Sequence, residues 1–139
     1  VVPWQAARSV SRWDAAKAVK GRARWAQIVR EAAKQAHRAW VPEVSEVRTS
    51  AQVAQRAAVV PTLVLEPGAS ESLSARMQEL RDAPEILLVV GPEGGIDAAE
   101  LETFAAAGAH PVRLGAGVLR TSTAGPAALA AIEALLGRW

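Results

Sequence analysis

Apolar residues along this chain change their spacing several times, and each change marks a predicted element. Between Arg22 and Trp40, the residues Trp25, Ile28, Val29, Ala32, Ala33 and Ala36 recur at helical intervals, forming one stripe of an amphipathic helix that Pro42 ends. Residues 44–58 read as a short strand or turn followed by a helix capped near Thr49 or Ser50. Val59-Val60-Pro61-Thr62-Leu63-Val64-Leu65 is a β-rich run closed by Glu66-Pro67-Gly68. From Ser70 to Asp82, Leu73, Met77 and Leu80 fall on one side and Arg76, Glu79 and Arg81 largely on the other, which predicts a helix stopped by Pro84. Ile86 to Val90 is continuously apolar, as a strand covered on both faces would be. Asp97 is placed to cap a helix running to about Ala107, with Glu100 in its first turn, Leu101, Phe104 and Ala105 inward, and Gly108 as its stop. His110 to Leu114 is a short strand. A last helix covers Ser122 to Leu136, its stripe formed by Leu129, Ile132, Leu135 and Leu136, with Pro126 early enough to be tolerated.

This alternation of strand and helix predicts an α/β fold with a mainly parallel sheet flanked by helices. Such sheets bind ligands outside the carboxyl ends of their strands. Leu65-Glu66, Gly91-Pro92-Glu93-Gly94-Gly95 and Leu114 to Thr121 all lie at such ends, so one site built from three loops is expected. Gly115 and Gly117 are expected to supply left-handed backbone or close approach to a ligand. Any of Thr121, Ser122 or Thr123 is suited to cap the helix that follows.

Composition narrows the class. The 139 residues suffice for one domain, and no apolar run approaches the roughly 20 residues of a membrane span. The absence of cysteine excludes disulfides and thiolate metal sites and fits a cytoplasmic location. His37 and His110 stand far apart without companions at metal-ligand spacing, and both read as ordinary surface or loop residues; no metal is expected. The chain opens at Val1 without an initiator Met, so a missing upstream segment is expected. The net charge of +2 hides an asymmetry: residues 1–40 hold nine Lys/Arg against Asp14 and Glu31, and the remainder holds seven against twelve acids. A basic segment on an acidic domain suits a polyanion, although a solvated helix face has the same composition. Trp4 and Trp13 stand among these cations; stacking on bases is one use for them, and packing at a domain edge is the favoured one. Within the helix, the i, i+4, i+7 spacing of Glu31, Gln35 and Arg38 places three polar groups on one face.

Several chemistries are excluded by motif. Neither glycine turn carries the Lys of a phosphate loop, Gly115-Ala116-Gly117 lacks the third glycine of a dinucleotide fingerprint, and no G-x-S-x-G elbow occurs. What remains is a backbone-lined pocket with apolar walls from Leu65, Leu114, Val118 and Leu119, suited to a flat heterocycle with a ribose.

Three blocks carry a family resemblance. Gly91-Pro92-Glu93-Gly94-Gly95-Ile96 with Glu100 and Phe104, and Leu114-Gly115 with Val118-Leu119-Arg120-Thr121 and Thr123-Ala124, resemble the signature loops of the SPOUT RNA methyltransferases. The similarity is greatest to the bacterial enzymes that methylate N3 of a uridine in small-subunit ribosomal RNA. Arg24-Trp25, Ile28-Val29, Glu31-Ala32-Ala33, Gln35, Arg38 and Val41-Pro42-Glu43-Val44 resemble the first block of the same family.

The resemblance implies an α/β knot fold with a deep C-terminal trefoil knot, an exception to unthreaded topology. It implies that residues 1–139 are the catalytic domain, that a β-rich, PUA-like RNA-binding domain precedes it, and that two copies form a homodimer. The implied cofactor is S-adenosyl-L-methionine, and the implied partner is 16S ribosomal RNA. By the same resemblance Leu65, Glu66, Gly91, Pro92, Glu93, Gly94, Leu114, Gly115, Val118, Leu119 and Thr121 line the cofactor pocket. Arg120 is expected to place the uridine or its phosphate and steady developing negative charge, with Glu31, Gln35 and Arg38 as lesser candidates on the RNA side. The chain departs from the family at Gly117, where Arg is common, and at Ser122, where Glu is common, so no role needing charge is carried over to either. A non-catalytic RNA-binding module of the same fold is the alternative.

Overall fold

A computed structural model describes residues 1–138 of the chain. Its elements, in chain order, are β1 (Trp4–Gln5), α1 (Ala15–Gln35), β2 (Arg48–Thr49), α2 (Ser50–Ala57), β3 (Thr62–Leu65), α3 (Leu73–Met77), β4 (Leu87–Val90), α4 (Ala98–Ala106), β5 (His110–Val112) and α5 (Thr121–Leu135). They fall into two compact units. One comprises Val1–Gln5 and Ser11–Thr49, and the other Ala6–Val10 and the chain from Ser50 onward.

The first unit pairs β1 and β2 in parallel, Trp4 opposite Arg48. Its long helix begins earlier than the apolar stripe predicts, because the Asp14 side chain accepts from the Lys17 amide at 2.8 Å and caps it. That amide, followed in effect by the Lys17 charge, holds the Asp14 carboxyl below its ordinary range. The helix also stops earlier. His37 takes a left-handed φ of 51°, and the His37 and Arg38 amides bond back to the Lys34 and Ala33 carbonyls at 3.1 and 3.0 Å. This is the pattern that ends a helix through a left-handed residue, and it places Arg38 beyond the helix that was expected to carry it. Trp13 packs edge-on against Trp25, centroids 5.9 Å apart, and a Cβ on Gly21 would approach its ring to 2.7 Å. Packing, not base stacking, therefore occupies Trp13. Of the predicted stripe, Ala33 is buried, whereas Trp25 and Ile28 remain 37% and 56% exposed.

The second unit holds the main core. Parallel β3 lies between β4 and β5, with Leu65 opposite Val90 on one side and Val112 on the other. All four β3 residues are buried, as a central strand requires, whereas in β4 only Val89 is, so covering of both faces holds for β3 and not for β4. Leu63, Leu73, Met77, Val112, Ala128 and Ile132 form the centre of a core cluster. In α5 the packed residues are Ala124, Ala128, Ala131, Ile132 and the following Leu136. Leu129 and Leu135, expected inside, are 55% and 42% exposed, because small Ala128 lets the helix approach the core along a neighbouring stripe. In α4, Phe104 is buried but Ala105 is exposed. The predicted helix over 70–82 forms only from Leu73 to Met77; the Leu80 amide then bonds to the Met77 carbonyl in a tighter turn, and Leu80 packs against the core. Arg76 bridges Glu71 at 2.7 Å and Glu79 at 2.5 Å across this turn. His110 opens β5 opposite Leu63, as the strand reading expects, and is half-buried there instead of at the surface or in a loop. Among the described residues no helix is long and apolar enough to cross a membrane.

Candidate functional site

The chain runs from β3 to its neighbour β4 and then across to β5 on the other side, so the carboxyl ends of all three strands face one crevice. Residues from the three following loops line a cleft of about 590 Å³. Leu65, Glu66 and Pro67 come from the end of β3, Val90, Gly91, Pro92, Glu93, Gly95 and Ile96 from β4, and Val112, Leu114, Gly115, Gly117, Val118 and Leu119 from β5. Arg120, Thr121, Ser122 and Ala124 complete it at the start of α5.

Backbone contacts hold the loops after β3 and β4. The Glu66 amide bonds to the Val112 carbonyl at 3.0 Å, and Glu66 Oε1 accepts from the Gly68 amide at 3.1 Å, so the turn after β3 is tied to β5 and to itself. Gly95 bonds back to the Pro92 carbonyl at 2.9 Å with φ 75°, a conformation that favours glycine. Gly91 has no room for a side chain, since a Cβ would meet Ile96 Cγ1 at 2.6 Å. Arg113, which no motif singled out, staples two loops together: its guanidinium donates to the Ala69 and Ser70 carbonyls, and its amide to Glu71. Only its position at the end of a strand pointed to it.

Of the sequence-predicted pocket residues, the structure brings Leu65, Glu66, Gly91, Pro92, Glu93, Leu114, Gly115, Val118, Leu119, Thr121 and Arg120 to the cleft. Gly94 is not among its lining residues. Gly115 and Gly117 border it, but neither is left-handed and nothing lies within 4 Å of a Cβ built on either; that conformation falls to Gly95 instead. The capping expectation also fails, because Arg120 itself occupies the N-cap position of α5 and no side chain caps it. Exposed Arg120 and the first two residues of α5, Thr121 and Ser122, thus line the cleft at a helix N-terminus that no side chain caps, a combination that favours negative charge. Opposite in sign are Glu66 and Glu93, and the walls between are aliphatic. Such a cleft suits a ligand with an apolar ring, a cationic part and an anionic neighbour.

Glu31, Gln35 and Arg38 belong to the first unit. All three are exposed; Glu31 pairs with Lys34 at 3.2 Å, and Arg38 follows the helix end instead of extending its face.

Comparison with known proteins matches residues 1–133 to the RNA methyltransferase domain. The chain is 46% identical to a ribosomal RNA small subunit methyltransferase E of Mycobacterium bovis, with 98% of this chain and 53% of that protein covered. It is 39% identical to the protein of that name in Bacillus subtilis, covering 95% and 54%. Among solved structures, a putative methyltransferase of Legionella pneumophila in complex with SAM has a TM-score of 0.86 and 29% identity, over 96% of this chain and 54% of that one. A ribosomal RNA small subunit methyltransferase E of Neisseria gonorrhoeae bound to S-adenosyl methionine has a TM-score of 0.81 and 32% identity, over 96% and 54%. The chain spans about half the length of the relatives it matches.

Proposed function

This chain belongs to the RNA methyltransferase domain family, and from that premise we propose that it transfers a methyl group from S-adenosyl-L-methionine to N3 of a uridine in 16S ribosomal RNA. The observation that carries the reading is the convergence of three strand-end loops on one cleft with Arg120 at the start of α5. The names of the relatives, and the cofactor held by two structural neighbours, support it.

The residues present fit the cofactor. A cleft of about 590 Å³ falls within the roughly 300–1,000 Å³ of small-molecule sites. Leu65, Leu114, Val118 and Leu119 offer apolar contact to an adenine, and the Glu66 and Glu93 carboxylates suit a cofactor that carries positive charge. When bound, the sulfonium supplies an already electrophilic methyl. The N3–CH₃ bond forms as the S–CH₃ bond breaks, and the imide proton passes to water. The chain's part is then alignment and electrostatics. The loop backbones hold the cofactor, and Arg120 orients the uracil and steadies the negative charge it gains as the proton leaves. Glu31, Gln35 and Arg38 act on the RNA side. The target base leaves its stack, since N3 is enclosed in a base pair.

Three further parts belong to the same proposal. The C-terminal segment forms a trefoil knot. The protein works in the cytoplasm, where ribosomal subunits are made. It is also a homodimer, for which the exposed Leu129 and Leu135 on α5 and Trp25 and Ile28 on α1 offer apolar contact area; sedimentation as a monomer at micromolar concentration would contradict this.

Gly117 and Ser122, where charged residues are common in the family, favour a second reading as an RNA-binding module without turnover. The test is transfer of labelled methyl from S-adenosyl-L-methionine to purified small subunits lacking the modification, followed by mapping of the product base. Label on N3 of one uridine supports the first reading. RNA binding without label supports the second.

A further inference from the structure

Of the turn that follows β4, residues 91–93, 95 and 96 line the cleft, and Gly94 does not. Gly94 is instead the residue touched from behind by Arg8. A Cβ built on Gly94 would lie 3.2 Å from both Cβ and the carbonyl oxygen of Arg8, so the two backbones are in close contact. The Arg8 guanidinium spans the turn: Nη1 donates to the Gly94 carbonyl at 3.5 Å, and Nη2 pairs with Asp97 at 3.1 Å. Asp97 is the N-cap of α4, so a single side chain ties the glycine turn to the helix it leads into.

Arg8 is itself delivered by a buried anchor. Ala6 is 1% exposed, and the Ala7 amide donates to Glu100 Oε1 at 2.8 Å. Glu100 is 7% exposed and accepts from the Ser50 hydroxyl as well. A short segment far away in sequence is thus held in register against the back of a loop whose front faces the cleft.

We propose that Arg8 is a positioning residue for the cleft: it braces the outer side of the Gly91–Gly95 turn and so fixes Glu93 and the turn amides for the cofactor. The inference rests on the reading of the cleft as a cofactor site, but the brace acts in the free protein too. A glycine-rich turn has many accessible conformations, and holding it in one before binding removes part of the ordering cost that binding would otherwise carry. The Arg8 ion pair is half exposed, so its effect lies in where the turn sits more than in overall stability.

Three variants of the full chain test this. Arg8→Ala removes both contacts, Arg8→Lys keeps a charge for Asp97 and loses the fork that reaches Gly94, and Asp97→Asn keeps a helix cap while losing the ion pair. Exchange of the Gly95 amide, which is bonded to the Pro92 carbonyl, is the first readout without cofactor, and calorimetry with S-adenosyl-L-methionine the second. Arg8→Ala is expected to speed exchange at that amide by about tenfold and weaken cofactor binding by a similar factor, with unchanged exchange in β3 and α5; Arg8→Lys and Asp97→Asn fall between. Unchanged exchange at the turn would overturn the proposal, as would acceleration spread evenly through β3, α4 and α5. A wild-type chain that binds no cofactor would remove the reading of the cleft, while the exchange data would still decide the brace.

Discussion

Arg120 stands at the N-cap of α5 with its side chain exposed beside the cleft, where it adds a full charge to the partial charge of unpaired helix amides. In the role proposed for it, its removal takes away a donor used as negative charge develops. Arg120→Ala is therefore expected to cut methyl transfer by about a hundredfold while cofactor affinity stays within a few fold. Equal loss in both, read by single-turnover transfer and calorimetry, would place Arg120 in cofactor binding instead. Glu100 answers a different question at the same scale. Its buried carboxylate accepts from Ala7, Ser50 and Asp97, so Glu100→Ala removes an acceptor shared by three donors and is expected to cost about 3 kcal/mol in urea denaturation. Part of this was legible in the sequence: Asp97 and Glu100 have the spacing of a capping box. That Glu100 also receives Ala7 from 93 positions away was not, since no local pattern encodes a long-range partner. Left-handed residues show the same divide. Gly108 and Gly137 end helices as glycines do, whereas His37 does so without glycine.

Among the elements, α1 carries the chain's charge asymmetry. Lys17 pairs with Asp14, Lys34 with Glu31, and Arg22 turns to the Val44 carbonyl. Lys20, Arg24 and Arg30 remain exposed on the helix, and Lys20 and Arg24 are one turn apart. If RNA lies along this helix, Lys20→Gln with Arg24→Gln is expected to lower the slope of log binding constant against log salt by about 1.4 for single-stranded RNA. An unchanged slope in fluorescence anisotropy would assign the contacts to another surface. Helical periodicity located α1 and α5 and placed Ala33, Ile132 and Leu136 correctly, but misplaced other members of each stripe. In α5, Ala124, Ala128 and Ile132 face the core and Leu129 does not, because close approach favours small residues over the largest apolar ones. Strands were easier to place, since Leu63 and Val64 lie in a run too apolar to be anything but interior.

At the scale of the molecule, the parallel order β4-β3-β5 brings three strand ends together, and this is why loops 25 and 22 residues apart along the chain, at Leu65, Val90 and Val112, share one cleft. Strand–helix alternation made that convergence readable before any coordinates, because a parallel sheet puts every strand's carboxyl end on one side. The set of lining residues was less readable: Pro67, Ile96 and Ala124 enter the cleft through the way the loops turn, and Gly94 leaves it because Arg8 holds it from behind. In the function proposed, these loops close on S-adenosyl-L-methionine. Amide exchange across the whole chain, with and without saturating S-adenosyl-L-methionine, tests it most directly. Slowed exchange is predicted together at residues 66–68, 91–96 and 114–122; protection absent from all three, or confined to one of them, would contradict it.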